Sequence, residues 1–314
     1  MMLVRARCLI LQMLLLFATT TNCATAKTSW RGHGGDESAL LAFKEKISGH
    51  SGVLDSWNQS TSYCHWEGIT CNRRYPQRVV GLDLSSHGLT GTISPAIGNL
   101  TFLRSLYLSN NTLQGEIPPS IGCLSSLESL DLSENMLAGV IPSNISRCTR
   151  LYLMFISSNK GVQGRIPPEL GSMPWLYVLE LHNNSITGTI PSSLGNLSLQ
   201  ILDLSYNNLE GSIPASLGNM QFLNYLMLSD NNLSGLLLPY LYNISSLYML
   251  YVDGNNFSGR ILSSIGNLAL LEKINFSENI LTGVIPETIG NLTRLTHVYL
   301  HSNKLSGRIP SSVR

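Results

Sequence analysis

Charge is scarce in this chain: Asp, Glu, Lys and Arg make up 12% of its 314 residues, 20 basic against 19 acidic. That balance offers no basic field for nucleic acid and no polybasic stripe for an anionic membrane. Long apolar runs are lacking too. The run from Cys8 to Ala18 is well short of the ~20 residues that span a bilayer, and no other segment is long enough. Catalytic signatures are missing. There is no G-x-S-x-G, no H-E-x-x-H, no Gly-rich phosphate loop opening a helix, and no HRD or DFG tripeptide. Ser157–Lys160 (SSNK) fits S-x-x-K only because a serine precedes a recurring asparagine. No enzyme activity, cofactor or metal is expected.

Arg5 and Arg7 precede the apolar run, and Ala24-Thr25-Ala26 has the small-x-small form of a cleavage site. Residues 1–26 therefore read as a secretory signal peptide, with an uncleaved anchor as the alternative. Without the leader, 18 basic side chains face 19 acidic ones and six cysteines fall to four. The secretory route permits disulfides. The expected location is the secretory pathway and the cell exterior.

The rest is one short phrase repeated. Glycines at 91, 115, 139, 164, 188, 211, 235, 259, 283 and 307 recur every 23 to 25 residues. L-x-L-x-x-N-x-L precedes each and I-P-x-x-L/I-G-x-L follows. Such a period specifies a solenoid, and this pattern specifies leucine-rich repeats. One repeat cannot bury its own apolar face, so the stack is the folding unit. The expected fold is an α/β repeat: a right-handed solenoid with a parallel β-sheet on the concave face and a short helical N-terminal cap. Domain bounds are 27–78 for the cap and 79–314 for ten repeats, the last incomplete.

In Leu106-Tyr107-Leu108 the leucines point one way and the tyrosine the other, the period of a strand. After each strand comes a structural column: His87, Asn111, Asn135, Asn159, Asn184, Asn207, Asn231, Asn255, Asn279, Asn303. Asparagine brings a donor and an acceptor on one short stem, as a buried turn between coils requires. Glycine then allows a sharp turn, and proline holds the outer segment extended. Ser94, Leu238 and Leu262 replace that proline. An extra residue near Lys160-Gly161 and a missing one near Ser198 predict local bulges without a domain break.

Ahead of the repeats, Asp36–Ile47 reads as a helix with Asp36 as N-cap and Leu40, Phe43 and Ile47 on one face. Trp57 and CHWEGITC follow. A Cys64–Cys71 disulfide suits a cap; zinc held by Cys64, His65 and Cys71 is the alternative, short of a fourth ligand. Cys148 stands in a buried leucine column and Cys123 one position earlier in a polar one, so a bond between them is possible but not favoured.

This cap followed by N-x-L-x-G-x-I-P repeats resembles the extracellular half of plant leucine-rich repeat receptor-like kinases. SPAIGNLTFLRSLYLSNN (Ser94–Asn111) is similar to immune receptors that detect microbial patterns. The resemblance implies an ectodomain that binds a peptide or protein in defence or developmental signalling. A co-receptor of similar fold is a further expected partner, and the relatives' serine/threonine kinase is absent from this sequence. The chain stops at Arg314 inside the tenth repeat, without a cysteine cap, membrane span or kinase signature. A receptor fragment or a truncated product is expected, with a plasma-membrane location for the full receptor. Two alternatives stand beside it. One is a secreted inhibitor resembling polygalacturonase-inhibiting proteins. The other is a non-functional product whose open last coil exposes Leu305 and Ile309.

Outward strand positions form columns across the concave face. The central one runs Asp83, Tyr107, Asp131, Phe155, Glu180, Asp203, Met227, Tyr251, Asn275, Tyr299. The one before it runs Gly81, Ser105, Ser129, Leu153, Val178, Ile201, Tyr225, Met249, Lys273, His297. The next is mainly serine, broken by His182, Asp253 and His301. The bulky run Tyr225, Met227, Met249, Tyr251, with Asp253, Lys273, His297, Tyr299 and His301 as polar partners, is the candidate ligand site. The competing reading is that aromatics simply suit strands. Sequons occur at Asn58, Asn99, Asn110, Asn144, Asn183, Asn196, Asn232, Asn243, Asn256, Asn275 and Asn291. An occupied Asn275 would split the candidate patch.

Overall fold

The computed structural model describes residues 35–74, 78–237 and 239–312; the leader expected over 1–26, and Leu238, lie outside them. The N-terminal helix runs Gly35–Lys44, and Ile47 belongs to a strand, Ile47–Gly49. That strand pairs with Thr90–Thr92 of the first coil. Gly91 permits the approach, because a Cβ there would meet the Lys46 carbonyl.

Asp36 does not serve as the expected N-cap. It sits inside the first helical turn, 3% exposed. Its carboxylate accepts from Arg78 Nε and Nη2, each at 3.1 Å, and from the Val79 N–H at 2.8 Å. A carboxylate this buried needs donors, and the first coil supplies them. Arg78 also lies 4.0 Å over the Phe102 ring. One side chain thus ties the helix to the stack.

Under the helix, Phe43, Trp57 and Trp66 are almost wholly buried, with the two indoles stacked 5.4 Å apart. Each indole N–H finds a carbonyl, Trp57 on Glu67 at 2.9 Å and Trp66 on Asn58 at 3.2 Å. Cys64 and Cys71 are disulfide-bonded, with Cα atoms 5.5 Å apart. Their sulfurs are bonded to each other, which removes the zinc alternative. Replacing both with serine should cost about 2.5 kcal/mol, the loop-closure entropy of so short a ring. Tryptophan fluorescence during urea unfolding reads this, and an unchanged cap transition would contradict it.

Each coil then repeats a strand, an asparagine turn, a second strand and a 3-10 segment. Among the described residues the main sheet has eleven strands. Ile69–Cys71 runs antiparallel to Val79–Asp83, and the later strands follow in parallel to His297–Tyr299. Leucines such as Leu106, Leu130 and Leu226 point inward and are fully buried. The asparagine column closes the turns. Asn135 Nδ2 donates to the carbonyls of Leu108, Leu132 and Ser133, while its Oδ1 accepts from the Leu113 N–H.

Among the described residues a second sheet of nine strands, from Ile47–Gly49 to Asn256–Ser258, was not expected from the sequence. Ile47–Gly49 joins it antiparallel, and the strands from Thr90–Thr92 onward run parallel. The N-x-L-x-G segment reads as a turn in isolation. Stacked, its backbone pairs with the same segment of the next coil, as in Thr112–Glu116 on Met136–Val140.

The extra residue of repeat four is absorbed by a turn in which the Val162 N–H reaches the Asn159 carbonyl at 2.8 Å. Main-sheet register runs unbroken through both irregular coils. Cys148 is a free, buried thiol and so does not bond Cys123. Burial pushes that thiol's pKa up to about 12.

Candidate functional site

Strand register determines which side chains share the concave face. Tyr225, Met249, Lys273 and His297 are successive partners, and so are Met227, Tyr251, Asn275 and Tyr299. The eight residues form two adjacent rows over four coils, roughly 15 Å across at the usual strand spacing. Asp253 and His301 lie two residues beyond Tyr251 and Tyr299, in the next row. All nine candidate residues therefore fall on one face.

Their exposure is graded. Tyr299 is 42% exposed, while Tyr225, Met227, Met249 and Tyr251 are half-buried against their neighbours. The Tyr225 ring lies 6.3 Å from Tyr248, and the His297 ring 6.2 Å from Tyr299. Burial raises the Tyr251 pKa, with Tyr299 and Asp253 adding to it. Asp253 accepts from Ser229 Oγ at 2.6 Å, yet burial still raises its pKa. Lys273 has no ion pair among the described residues. The patch thus offers apolar ledges, one unpaired ammonium and one carboxylate. That set suits an extended polypeptide better than a small apolar ligand.

Asn275 is half-buried in the middle, and its Oδ1 accepts from both the N–H and the O–H of Ser277. Other sequons are tied to neighbouring coils. Asn110 donates to Ser86 Oγ, Asn183 to Ser158 Oγ, and Asn256 to Asn232 Oδ1 at 2.9 Å. Asn196, Asn243 and Asn291 are exposed at the ends of 3-10 segments.

Two features of this region escaped the sequence reading. The first is an acidic floor in the central coils. His182 Nδ1 sits 3.2 Å from Asp203 Oδ2, at ion-pair distance but without hydrogen-bond geometry. Asp203 chiefly, then Glu180 and Glu134, raise the His182 pKa against the opposing pull of burial. Burial, then Asp203 and Asp131, raise that of Glu180. The second is an open groove of about 670 Å³ at the sheet edge, lined by Glu128, Arg150, Tyr152, Leu153, Trp175 and Tyr177. Its signal was Trp175, a large apolar residue just before the inward Leu176.

Family comparison fits this architecture. Residues 33–72 match the leucine rich repeat N-terminal domain, and 102–124, 126–148, 175–197, 198–220 and 245–305 match leucine rich repeats. The chain belongs to the leucine-rich repeat family. Over 75 residues it is 52% identical to the LRR receptor-like serine/threonine-protein kinase EFR of Arabidopsis thaliana, covering 23% of this chain and 7% of that protein. The receptor kinase HAESA of Arabidopsis, solved with the peptide hormone IDA and the co-receptor SERK1, superposes with a TM-score of 0.80. That match has 36% identity and covers 88% of this chain and 47% of HAESA's. A plant ice-binding protein matches with a TM-score of 0.79 and 30% identity, covering 88% of this chain and 89% of that one. One leucine-rich repeat scaffold thus carries unrelated tasks, so function has to be argued from side chains. No helix among the described residues is long and apolar enough to cross a membrane. No cluster of three or more His, Cys, Asp or Glu among them could hold a metal ion.

Proposed function

We propose that this chain is the ligand-recognition part of a plant receptor kinase and binds an extended peptide along its concave face at repeats seven to ten. The observation that carries the proposal is the pair of aligned rows ending in Lys273–His297 and Asn275–Tyr299. Aromatic and sulfur-bearing side chains stand there at positions with no inward packing role. HAESA, solved with a peptide hormone and a co-receptor, supports the assignment by similarity of fold. Kinase signalling, a co-receptor of similar fold and a place at the cell surface belong to the same reading. Occupied glycosylation at the exposed convex sequons is compatible with it.

The test uses ligand captured by pull-down with the folded, secreted protein. Tyr251→Ala should weaken its binding roughly thirtyfold, the ~2 kcal/mol typical of truncating a central anchor. Tyr107→Ala, an outward strand tyrosine six coils away in the same column, should leave binding unchanged. Equal losses in the two variants would refute the patch.

A further inference from the structure

The edge groove has no part in the concave-face reading and lies two coils and more from that patch. In each coil, residues between the 3-10 segment and the strand face out from the sheet's leading edge. In repeats four and five these include Arg150 and Tyr152, then Trp175 and Tyr177. Backbone bonds hold the coils in step: the Tyr177 N–H donates to the Tyr152 carbonyl, and the Tyr152 N–H to that of Glu128, both at 2.9 Å. Trp175 is 69% exposed, Tyr152 42% and Tyr177 41%. The inward work of these coils is done by Leu151 and Leu176, both buried. The three rings are therefore surplus to folding, and contiguous aromatic surface left in water marks an interaction site.

Charge points the same way. Arg150 and nearby Arg147 are exposed and have no hydrogen bond or ion pair to another described residue. Arg104 reaches Glu128 at 3.8 Å. The edge is thus net basic, while the adjoining floor carries Asp131, Glu180 and Asp203. An acidic segment is repelled by that floor and attracted by the edge. A carboxylate also matches the two-pronged donor geometry of a free guanidinium.

Glycan acceptors leave the groove clear. The 3-10 segments that end in sequons at Asn99, Asn196, Asn243 and Asn291 have counterparts ending in Cys123, Arg147 and Ser172 in the three coils leading into the groove. Of the sequons within those coils, Asn144 stands near the opposite end of its 3-10 segment and donates to the Pro119 carbonyl. Asn110 stands in the turn beyond its strand and donates to Ser86 Oγ.

We propose that this edge docks an acidic polypeptide segment of a partner protein, which lays a bulky apolar side chain on Trp175 and Tyr177 and a carboxylate on Arg150. Trp, Tyr and Arg are the residues on which protein interfaces concentrate their energy.

The test titrates the full secreted protein against fluorescein-labelled peptides, read by anisotropy. Each peptide places one Phe or Leu one to three residues from an Asp pair. A second panel has Lys for Asp, and oligogalacturonate supplies carboxylates on a sugar backbone. At least one acidic peptide should bind, and its Lys counterpart at least tenfold more weakly. Trp175→Ala should lower that affinity about thirtyfold, and Arg150→Glu at least tenfold. Tyr177→Phe, which keeps the ring face, and Tyr251→Ala, on the other patch, should bind as wild type. Trp175, Arg150 and Tyr177 are exposed and Tyr251 is half-buried, and an unchanged unfolding midpoint confirms the fold of each variant. Failure of the whole acidic panel, equal binding of the Lys panel, or unchanged binding by folded Trp175→Ala would overturn the proposal. So would saturable, Trp175-dependent binding of oligogalacturonate in place of the peptides. Because Tyr251→Ala reports only on the concave patch, either site can fail without the other.

Discussion

Asn159→Ala is expected to lower the stability of the central coils by about 4 kcal/mol, the largest effect of any single truncation here. Asn159 is fully buried. Its Nδ2 donates to the carbonyls of Leu132, Ile156 and Ser157 at 3.0 to 3.3 Å, and its Oδ1 accepts from the Leu137 N–H at 3.1 Å. Alanine removes all four bonds where water does not reach, at roughly 1 kcal/mol each. The Leu132, Ile156 and Ser157 carbonyls keep a second donor in Asn135 Nδ2, Asn184 Nδ2 and the Glu134 N–H, while the Leu137 N–H loses its amide acceptor. Asn303 makes the same set of bonds but is only half-buried. Water can replace the lost amide there, so Asn303→Ala should cost about 1 kcal/mol. A stack unfolds in parts, so the readout is native-state hydrogen exchange at the strands of repeats three to five. Equal opening energies in the two variants would contradict this account of the ladder.

Arg78→Met should separate the cap from the stack at a cost of about 3 kcal/mol. It keeps part of the aliphatic stem but removes the guanidinium, and with it the contact over Phe102 and two of the three donors to the buried Asp36 carboxylate. Breaking one side of a buried pair leaves an uncompensated charge, and the cost falls toward the low end of the usual range because Arg78 is itself a third exposed. Asp36→Asn in the Arg78→Met background should recover part of the loss, since the buried charge is then gone. Unfolding followed by tryptophan fluorescence reports on Trp57 and Trp66 directly. No recovery in the double variant would place the cost in packing rather than charge.

Local and periodic physics explains what the sequence made legible. A strand period of two, repeated every 23 to 25 residues, orders the outward columns, and observed pairs such as Tyr225 with Met249 follow that order. The asparagine turns were legible because one short amide is what a buried turn needs. Asp36 was misread because its partners, Arg78 and Val79, lie more than 40 residues away. Helix-start chemistry and buried-pair chemistry call for the same side chain. The second sheet exists only between coils, so no single repeat announces it. The Trp175 groove was missed for a related reason: its walls come from three repeats, and each contributes side chains that look like ordinary surface.

The central claim is that ligand lies along the concave face of repeats seven to ten. Hydrogen–deuterium exchange of the secreted protein, with and without the captured ligand, tests it most directly. The account predicts slowed exchange in the strands Tyr225–Met227, Met249–Tyr251, Lys273–Asn275 and His297–Tyr299, with Ser105–Tyr107 and Ser129–Asp131 unchanged. Protection confined to the first coils, or to the convex 3-10 segments, would contradict it.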